Sequence, residues 1–289
     1  MGKVVFITYA TGNFTPLADE LCQSALRVGF DEAKALGPND LSKEFKTANA
    51  ALLAEKRGAG YWAWKPEIIR NSLNLLSPGD LLVYCDSGRN PYYRFNRFPG
   101  LLAKRAMKEG LLLNATVPQH GNLARWTKRD CLTVLNMDRD DVICRPQIQS
   151  GWSFWTPCEM AFRVLDDWGK ACTDPRCVSD SPNTLGLPNY PEFVDHRHDQ
   201  SILTLLIYRD QLPHLDYRSK GLSRILMLRR KSALAQRFMS RIDDAEMMEQ
   251  GKMVSALVRS FFDLRRFRKH NIEDGRLKIN IDQLSRRFD

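Results

Sequence analysis

An α/β fold on a largely parallel sheet is the expectation from this sequence, and two observations point to it. Short apolar runs alternate with segments of helical periodicity along the first three quarters of the chain. One of those runs, Leu81-Leu82-Val83-Tyr84-Cys85, stops at Asp86-Ser87-Gly88. That puts a carboxylate at the C-terminal end of a buried strand, where open α/β sheets hold their ligands.

Taken in order, 4–8 reads as a first buried strand, followed by the polar loop Ala10-Thr11-Gly12-Asn13. Helical spacing covers 17–28, a second strand 30–36 and a further helix 41–55. An aromatic entry, Gly60-Tyr61-Trp62-Ala63-Trp64-Lys65-Pro66, leads into a helix over 67–76, with Pro66 suited to a first helical turn. Ser77-Pro78-Gly79-Asp80 is a turn that launches the strand 81–85. Residues 89–100, rich in Arg, Asn, Tyr, Phe and Pro, read as a loop lining a site. Helices follow over 101–109 and 127–137, a strand within 147–156, a helix over 160–171, a long loop over 179–191 and a helix over 197–208. Beyond Lys220 the pattern changes. Leu228, Ala235, Phe238, Met239 and Ile242 share one helical face, and Met247, Val254, Leu257, Val258, Phe261 and Leu264 share another. A small strand is expected over 277–281. The division expected is an α/β domain, 1–217, and a basic amphipathic helical extension, 218–289.

Charge supports that division. The net charge is +9, yet residues 1–217 carry 25 Lys/Arg against 25 Asp/Glu, and 218–289 carry 18 against 9. The basic excess suits docking on an anionic membrane surface. It also suits a helical subdomain packed on the α/β domain or on a second copy in a homodimer. A nucleic-acid-binding role for the tail is the rival reading. Against it, the first 217 residues carry no net charge, and no zinc finger, RRM or KH pattern is found. No phosphate-binding Walker loop, dinucleotide fingerprint or nucleophile elbow appears, so kinase, dehydrogenase and α/β-hydrolase classes lack support. No apolar run approaches the ~20 residues of a membrane span. Val4-Val5-Phe6-Ile7 is too short for a signal peptide, and seven scattered cysteines suit a reducing cytoplasm. Cys172 and Cys177 lack two further ligands for zinc.

Three groups of residues are candidates for chemistry. Lys65, ahead of Pro66 at a helix start, suits an anion, with Arg57 as a second cation; the alternative is a lysine stem lying along an apolar surface. His196-Arg197-His198-Asp199-Gln200 gathers ionisable groups at a helix N-terminus, where Asp199 serves either as an acid–base group or as a cap. Ser150-Gly151 permits close approach of a ligand, and Trp152 is either a stacking platform or core.

The blocks Gly60–Pro66 and 79–88, with Gln149-Ser150-Gly151 and His196-Arg197-His198-Asp199-Gln200-Ser201, resemble bacterial glycosyltransferases of the GT-A type that build capsule or lipopolysaccharide O-antigen. The resemblance covers roughly residues 1–217. It implies a Rossmann-type mixed sheet flanked by helices. It also implies transfer of a sugar from a nucleotide-diphospho-sugar, UDP-sugars favoured, to a saccharide or lipid-linked saccharide acceptor, on the cytoplasmic side of the membrane. Asp86, Ser87, Lys65, Tyr61, Trp62 and Arg57 would then serve the donor, and Ser150, Gly151 and Trp152 the acceptor. Asp199 and Gln200 would serve catalysis: Asp199 as base if the enzyme inverts, either residue steadying the developing cation or orienting the acceptor if it retains. The family's Asp-X-Asp is Asp86-Ser87-Gly88 here. With the second carboxylate replaced by glycine, a Mn2+ or Mg2+ ion would need a distant ligand such as His198, or Asp86 would bind the donor directly. A sugar-nucleotide-binding module without turnover is the further alternative.

Overall fold

In a computed structural model that describes residues 2–88, 94, 95 and 97–216, and the backbone of 272, 273, 276 and 277, six strands form one sheet. They are β1 (Val4–Tyr9), β2 (Glu32–Leu36), β3 (Leu81–Cys85), β4 (Leu111–Ala115), β5 (Trp152–Trp155) and β6 (His214–Leu215), in the order β2-β1-β3-β5-β4-β6. β1 pairs in parallel with β2 and β3, and β4 with β6, whereas β5 runs antiparallel to both neighbours. The sheet is therefore mixed, as the family resemblance implies, and less parallel than the alternation of elements alone suggests. Strand direction is set by the connection that precedes it, which a local apolar run does not reveal.

β1, β3 and β4 are buried along their whole length, which is why β1 and β3 read as continuous apolar runs rather than alternating ones. Their side chains divide with period two between two cores. Val5, Ile7, Tyr9, Leu82, Tyr84, Leu111 and Leu113 belong to the core that includes residues of the helices Trp64–Leu73, Glu159–Cys172 and Asp199–Asp210. Val4, Phe6, Leu81, Val83 and Leu112 belong to the core that includes residues of Thr15–Arg27 and Gly100–Glu109. β2 and β6 are the two edge strands, and the exposed Glu32 of β2 protects that edge from pairing with another chain.

Several elements depart from the expectation. The helix expected over 41–55 is two short ones, Lys43–Ala48 and Ala50–Leu53, broken at Asn49 (φ −118°) and capped by Ser42, whose Oγ accepts from Phe45 N at 3.1 Å. The helix over 127–137 is likewise short, Arg129–Val134, preceded by Leu123–Trp126. β4 was not expected; it follows the preceding helix after Gly110 alone, at φ +86°, where a Cβ would lie 2.9 Å from Met160 Cε. The long loop is tied down by the buried Asp130, which accepts from Thr184 N (2.6 Å), Thr184 Oγ1 (3.0 Å) and Leu185 N (3.2 Å). The prolines alone suggest a looser segment.

The chain divides into two compact units, Met1–Lys231 and Ser232–Asp289. In the second, Ile272–Glu273 pairs antiparallel with Arg276–Leu277. The boundary expected at 217/218, both amphipathic helices, residues 278–281 of the small strand, and residues 89–93 and 96 of the aromatic loop lie outside the described residues. Among the described residues, no helix is long and apolar enough to cross a membrane.

Leu82 is fully buried in a central strand. Leu82→Ala should lower unfolding stability by about 2–5 kcal/mol, measured by denaturant titration; a loss below about 1 kcal/mol would mean that this layer is not close-packed.

Candidate active site

The aromatic entry folds in a way that periodicity does not anticipate. Gly58 (φ +59°), Ala59 (+50°), Gly60 (+97°), Tyr61 (+53°) and Trp62 (+60°) are five consecutive residues in the left-handed region. For L-residues this conformation costs on the order of 1–2 kcal/mol each. The turn closes through Tyr61 N to Arg57 O (2.7 Å) and Trp62 N to Gly58 O (3.2 Å), and Trp64 Nε1 pins it by donating to Gly58 O at 2.9 Å. Both glycines are required sterically: a Cβ at 58 would lie 2.4 Å from the Trp62 ring, and one at 60 would lie 2.9 Å from Leu53 Cα. His198 also has positive φ but lies outside the left-handed helical region, at φ +50° and ψ −121°, and its ring stacks on Tyr61 with centroids 5.0 Å apart. Four of the six non-glycine residues with positive φ thus meet here, among the described residues. Such strain gathers where a site needs it. Each strained segment leads directly into one partner of a buried ion pair: Lys65 after Trp62, and Asp199 after His198.

Lys65 sits in the first turn of Trp64–Leu73 with its side chain only 1% exposed. Its Nζ donates to Asp199 Oδ2 at 2.8 Å, lies 3.2 Å from Asp86 Oδ1 and donates to Ser150 Oγ at 3.5 Å. An ammonium has three protons, and three protein oxygens surround this one. Ser150 Oγ donates to the same Asp199 Oδ2 at 2.9 Å, and Trp168 Nε1 holds the Asp199 backbone carbonyl at 3.1 Å. The Tyr84 hydroxyl donates to Asp86 Oδ1 at 2.5 Å, and Asp86 N donates to Gly151 O at 2.8 Å. Two carboxylates therefore share one ammonium at the C-terminal end of β3. Asp86 is the more open, with its side chain 29% exposed against 5% for Asp199. Asp86 Oδ2 and Asp199 Oδ1 accept no hydrogen bond from the described residues.

Burial alone would lower the Lys65 pKa, but the charges of Asp199 and Asp86 outweigh it and hold the group above its ordinary value. Burial lifts Asp199, against the pull of Lys65. His196 is fully buried and its pKa falls to about 3, through burial first and then the nearby His198. Its Nδ1 accepts from Lys128 N (3.1 Å) and its Nε2 meets Cys177 O (2.7 Å), so the neutral ring with its proton on Nε2 fits.

The other candidates are placed as follows. Arg57 is held by Asp195 through Nη2–Oδ2 (2.6 Å) and Nη1–Oδ1 (3.2 Å), and by Asp180 (3.1 Å). Ser87 Oγ donates to Tyr9 O at 2.8 Å. Gln200 Nε2 donates to Gln147 Oε1 at 3.2 Å, within a buried amide–hydroxyl network. Tyr61 is buried and Trp62 half-buried against His198. Trp152 is 7% exposed and packs edge-on against Phe154 in the core of the opposite sheet face, the core alternative of its two readings. His198 Nε2 pairs with Asp180 Oδ1 at 2.9 Å, so Asp86 and His198 are committed to different partners. Among the described residues no three His, Cys, Asp or Glu side chains group to hold a metal. Asp86 and Asp199 both face the Lys65 ammonium, so the described residues form no cage of their own for Mn2+ or Mg2+; such an ion would be held by one carboxylate together with substrate phosphates. All seven cysteines are free thiols.

Tyr84, Trp168, Asp180 and Asp195 were not singled out from the sequence. For Tyr84 a signal existed: it is two residues before Asp86 on a strand, so both share a face.

No protein-family model matches the chain, and no curated protein does. Among solved structures, the apo form of the bifunctional glycosyltransferase WbbM matches with a TM-score of 0.43 at 12% identity, covering 75% of this chain and 39% of that one. This chain thus spans well under half the length of WbbM. The apo form of mouse xyloside xylosyltransferase 1 matches with a TM-score of 0.40 at 9% identity, covering 75% of this chain and 85% of that one. Likeness this distant carries neither substrate nor mechanism across.

A histidine kept neutral by burial has a sign that can be checked. The unfolded chain takes up a proton below pH 6.5 and the folded chain does not until about 3. Stability from His196 is therefore complete above 6.5 and lost as pH falls, by about 2 kcal/mol at pH 5. Denaturant titrations at pH 7 and pH 5 should show a smaller pH-dependent loss in His196→Gln than in the parent; equal losses would contradict the assignment.

Proposed function

We propose that the chain is a glycosyltransferase that moves a sugar from a nucleotide-diphospho-sugar to a saccharide or lipid-linked saccharide acceptor. The observation that carries this reading is the cluster of Asp86 and Asp199 around the single ammonium of Lys65 at the C-terminal edge of the sheet. Departure of a nucleoside diphosphate leaves positive charge at the anomeric carbon. A fixed cluster of net charge −1 stabilises such a centre without reorganising when the charge appears. The motif resemblance supports the same reaction class.

In this reading Asp86, the more open carboxylate, meets the donor sugar. Asp199 takes the acceptor proton through Oδ1, while its Oδ2 is held by Lys65 and Ser150. Lys65 works on the two carboxylates rather than on phosphate, since its protons are already directed at protein oxygens. Arg57 likewise acts through Asp180 and Asp195. Gly151 leaves room beside Asp86: a Cβ there would lie 3.4 Å from Asp86 Oδ2. No step is assigned to a metal ion. A UDP-linked donor, an acceptor in surface polysaccharide, and docking of 218–289 on an anionic membrane complete the reading.

The test is a panel of UDP-, GDP- and CDP-sugars with Mn2+, Mg2+ or EDTA, following nucleotide release and thermal shift. One donor should be turned over, with little change in EDTA. Asp86→Asn and Asp199→Asn should each lower kcat/KM at least about 100-fold while circular dichroism stays unchanged. Failure of every donor to bind would remove the transferase reading, and parental turnover in either variant would remove that residue from it. Strict dependence on Mn2+ would mean that an ion takes part despite the donor set.

A further inference from the structure

We infer that Tyr84 is a positioning residue for Asp86: together with Lys65 it fixes which oxygen of that carboxylate is left for the substrate. The reaction it serves rests on the transferase reading above; the geometry does not.

Tyr84 lies in the middle of the sheet and is fully buried. Phenylalanine would fill the same core, so packing gives no reason for the hydroxyl. A buried hydroxyl is unfavourable unless it finds a partner. The partner here is Asp86 Oδ1, at 2.5 Å. Lys65 Nζ reaches the same oxygen from 3.2 Å and lies 5.5 Å from the centroid of the Tyr84 ring. Burial, and then the charge of Asp86, pushes the phenol well above its ordinary pKa, so it remains a proton donor throughout the physiological range.

Oδ1 thus takes two donors, and Oδ2 takes none from the described residues. The backbone on that side is tied through Asp86 N to Gly151 O. The terminal torsion of an aspartate is broad and roughly two-fold, so it does not select an orientation by itself. Lys65 alone does not select one either, because its shorter bond goes to Asp199. The short, directional bond from Tyr84 is what holds the carboxylate plane and turns Oδ2 outward. Tyr84 touches no reacting atom in this arrangement; it acts through Asp86.

Tyr84→Phe keeps the ring and removes only the hydroxyl. With whichever donor the panel above shows to be turned over, kcat should fall about 10- to 100-fold, the donor KM should stay within about twofold, and the melting temperature should change little. In an Asp86→Asn background the same substitution should have no further effect on residual turnover. A readout that needs no turnover is proton NMR of the full chain. A slowly exchanging, downfield hydroxyl proton should be present in the parent, absent in Tyr84→Phe and moved in Asp86→Asn. Undiminished kcat in Tyr84→Phe, or a hydroxyl proton indifferent to Asp86→Asn, would overturn the inference. If no donor is turned over but the NMR result holds, the transferase reading fails and the positioning of Asp86 stands.

Discussion

A charge moved out of water must find countercharge, and Lys65 finds two. Its ammonium, buried beneath the C-terminal edge of the sheet, lies between Asp199 at 2.8 Å and Asp86 at 3.2 Å. An isolated buried ammonium would be unfavourable by several kcal/mol, so each partner is under strong constraint to be where it is. Asp86 comes from the end of β3, Asp199 from the start of a helix, and Ser150 from the residues before β5. One cation thus ties three distant stretches of chain into one arrangement. What remains is a carboxylate oxygen on each side, that of Asp86 the more open to solvent and that of Asp199 buried, and an uncompensated negative charge.

Placing an ammonium there has consequences for the backbone. The left-handed turn from Gly58 to Trp62 brings the chain around sharply, so that Lys65 enters in the first turn of its helix. Strained His198 does the same for Asp199 on the facing segment. Neither conformation is favourable alone. Stacking of Tyr61 on His198, the Trp64 bond to Gly58 and the clamp of Arg57 on Asp180 and Asp195 hold both. Most of the backbone strain is therefore gathered at the residues that aim the site, while β1, β3 and β5 pair in unbroken register beside it.

Much of the fold was legible because burial writes itself into composition. β1 and β3 are apolar on both faces, and the helices Thr15–Arg27, Glu159–Cys172 and Asp199–Asp210 begin and end within a few residues of where spacing puts them. β4 was missed because only Gly110 separates it from the amphipathic helix Gly100–Glu109, so its leucines follow that helix's apolar positions without a break. The antiparallel direction of β5 was missed because it depends on long-range connections. At the site, Asp86, Lys65, Ser150, Gly151 and Asp199 were all named from local context. Their mutual pairing was not, since it joins residues up to 134 positions apart. Lys65 read as a phosphate contact for the same reason: the carboxylates that occupy it are invisible from its own neighbourhood. Tyr84 read as one more apolar strand residue, although its hydroxyl was the clue.

The most direct measurement is the stability of Lys65→Met, a substitution close in length without the charge. Removing one partner of a buried ion pair should cost about 3–5 kcal/mol, because two carboxylates are left facing each other without a cation. Adding Asp86→Asn and Asp199→Asn to the same chain should recover much of that loss by removing the stranded charges. A Lys65→Met protein within about 0.5 kcal/mol of the parent, or a triple variant no more stable than the single, would contradict the central role of this ammonium.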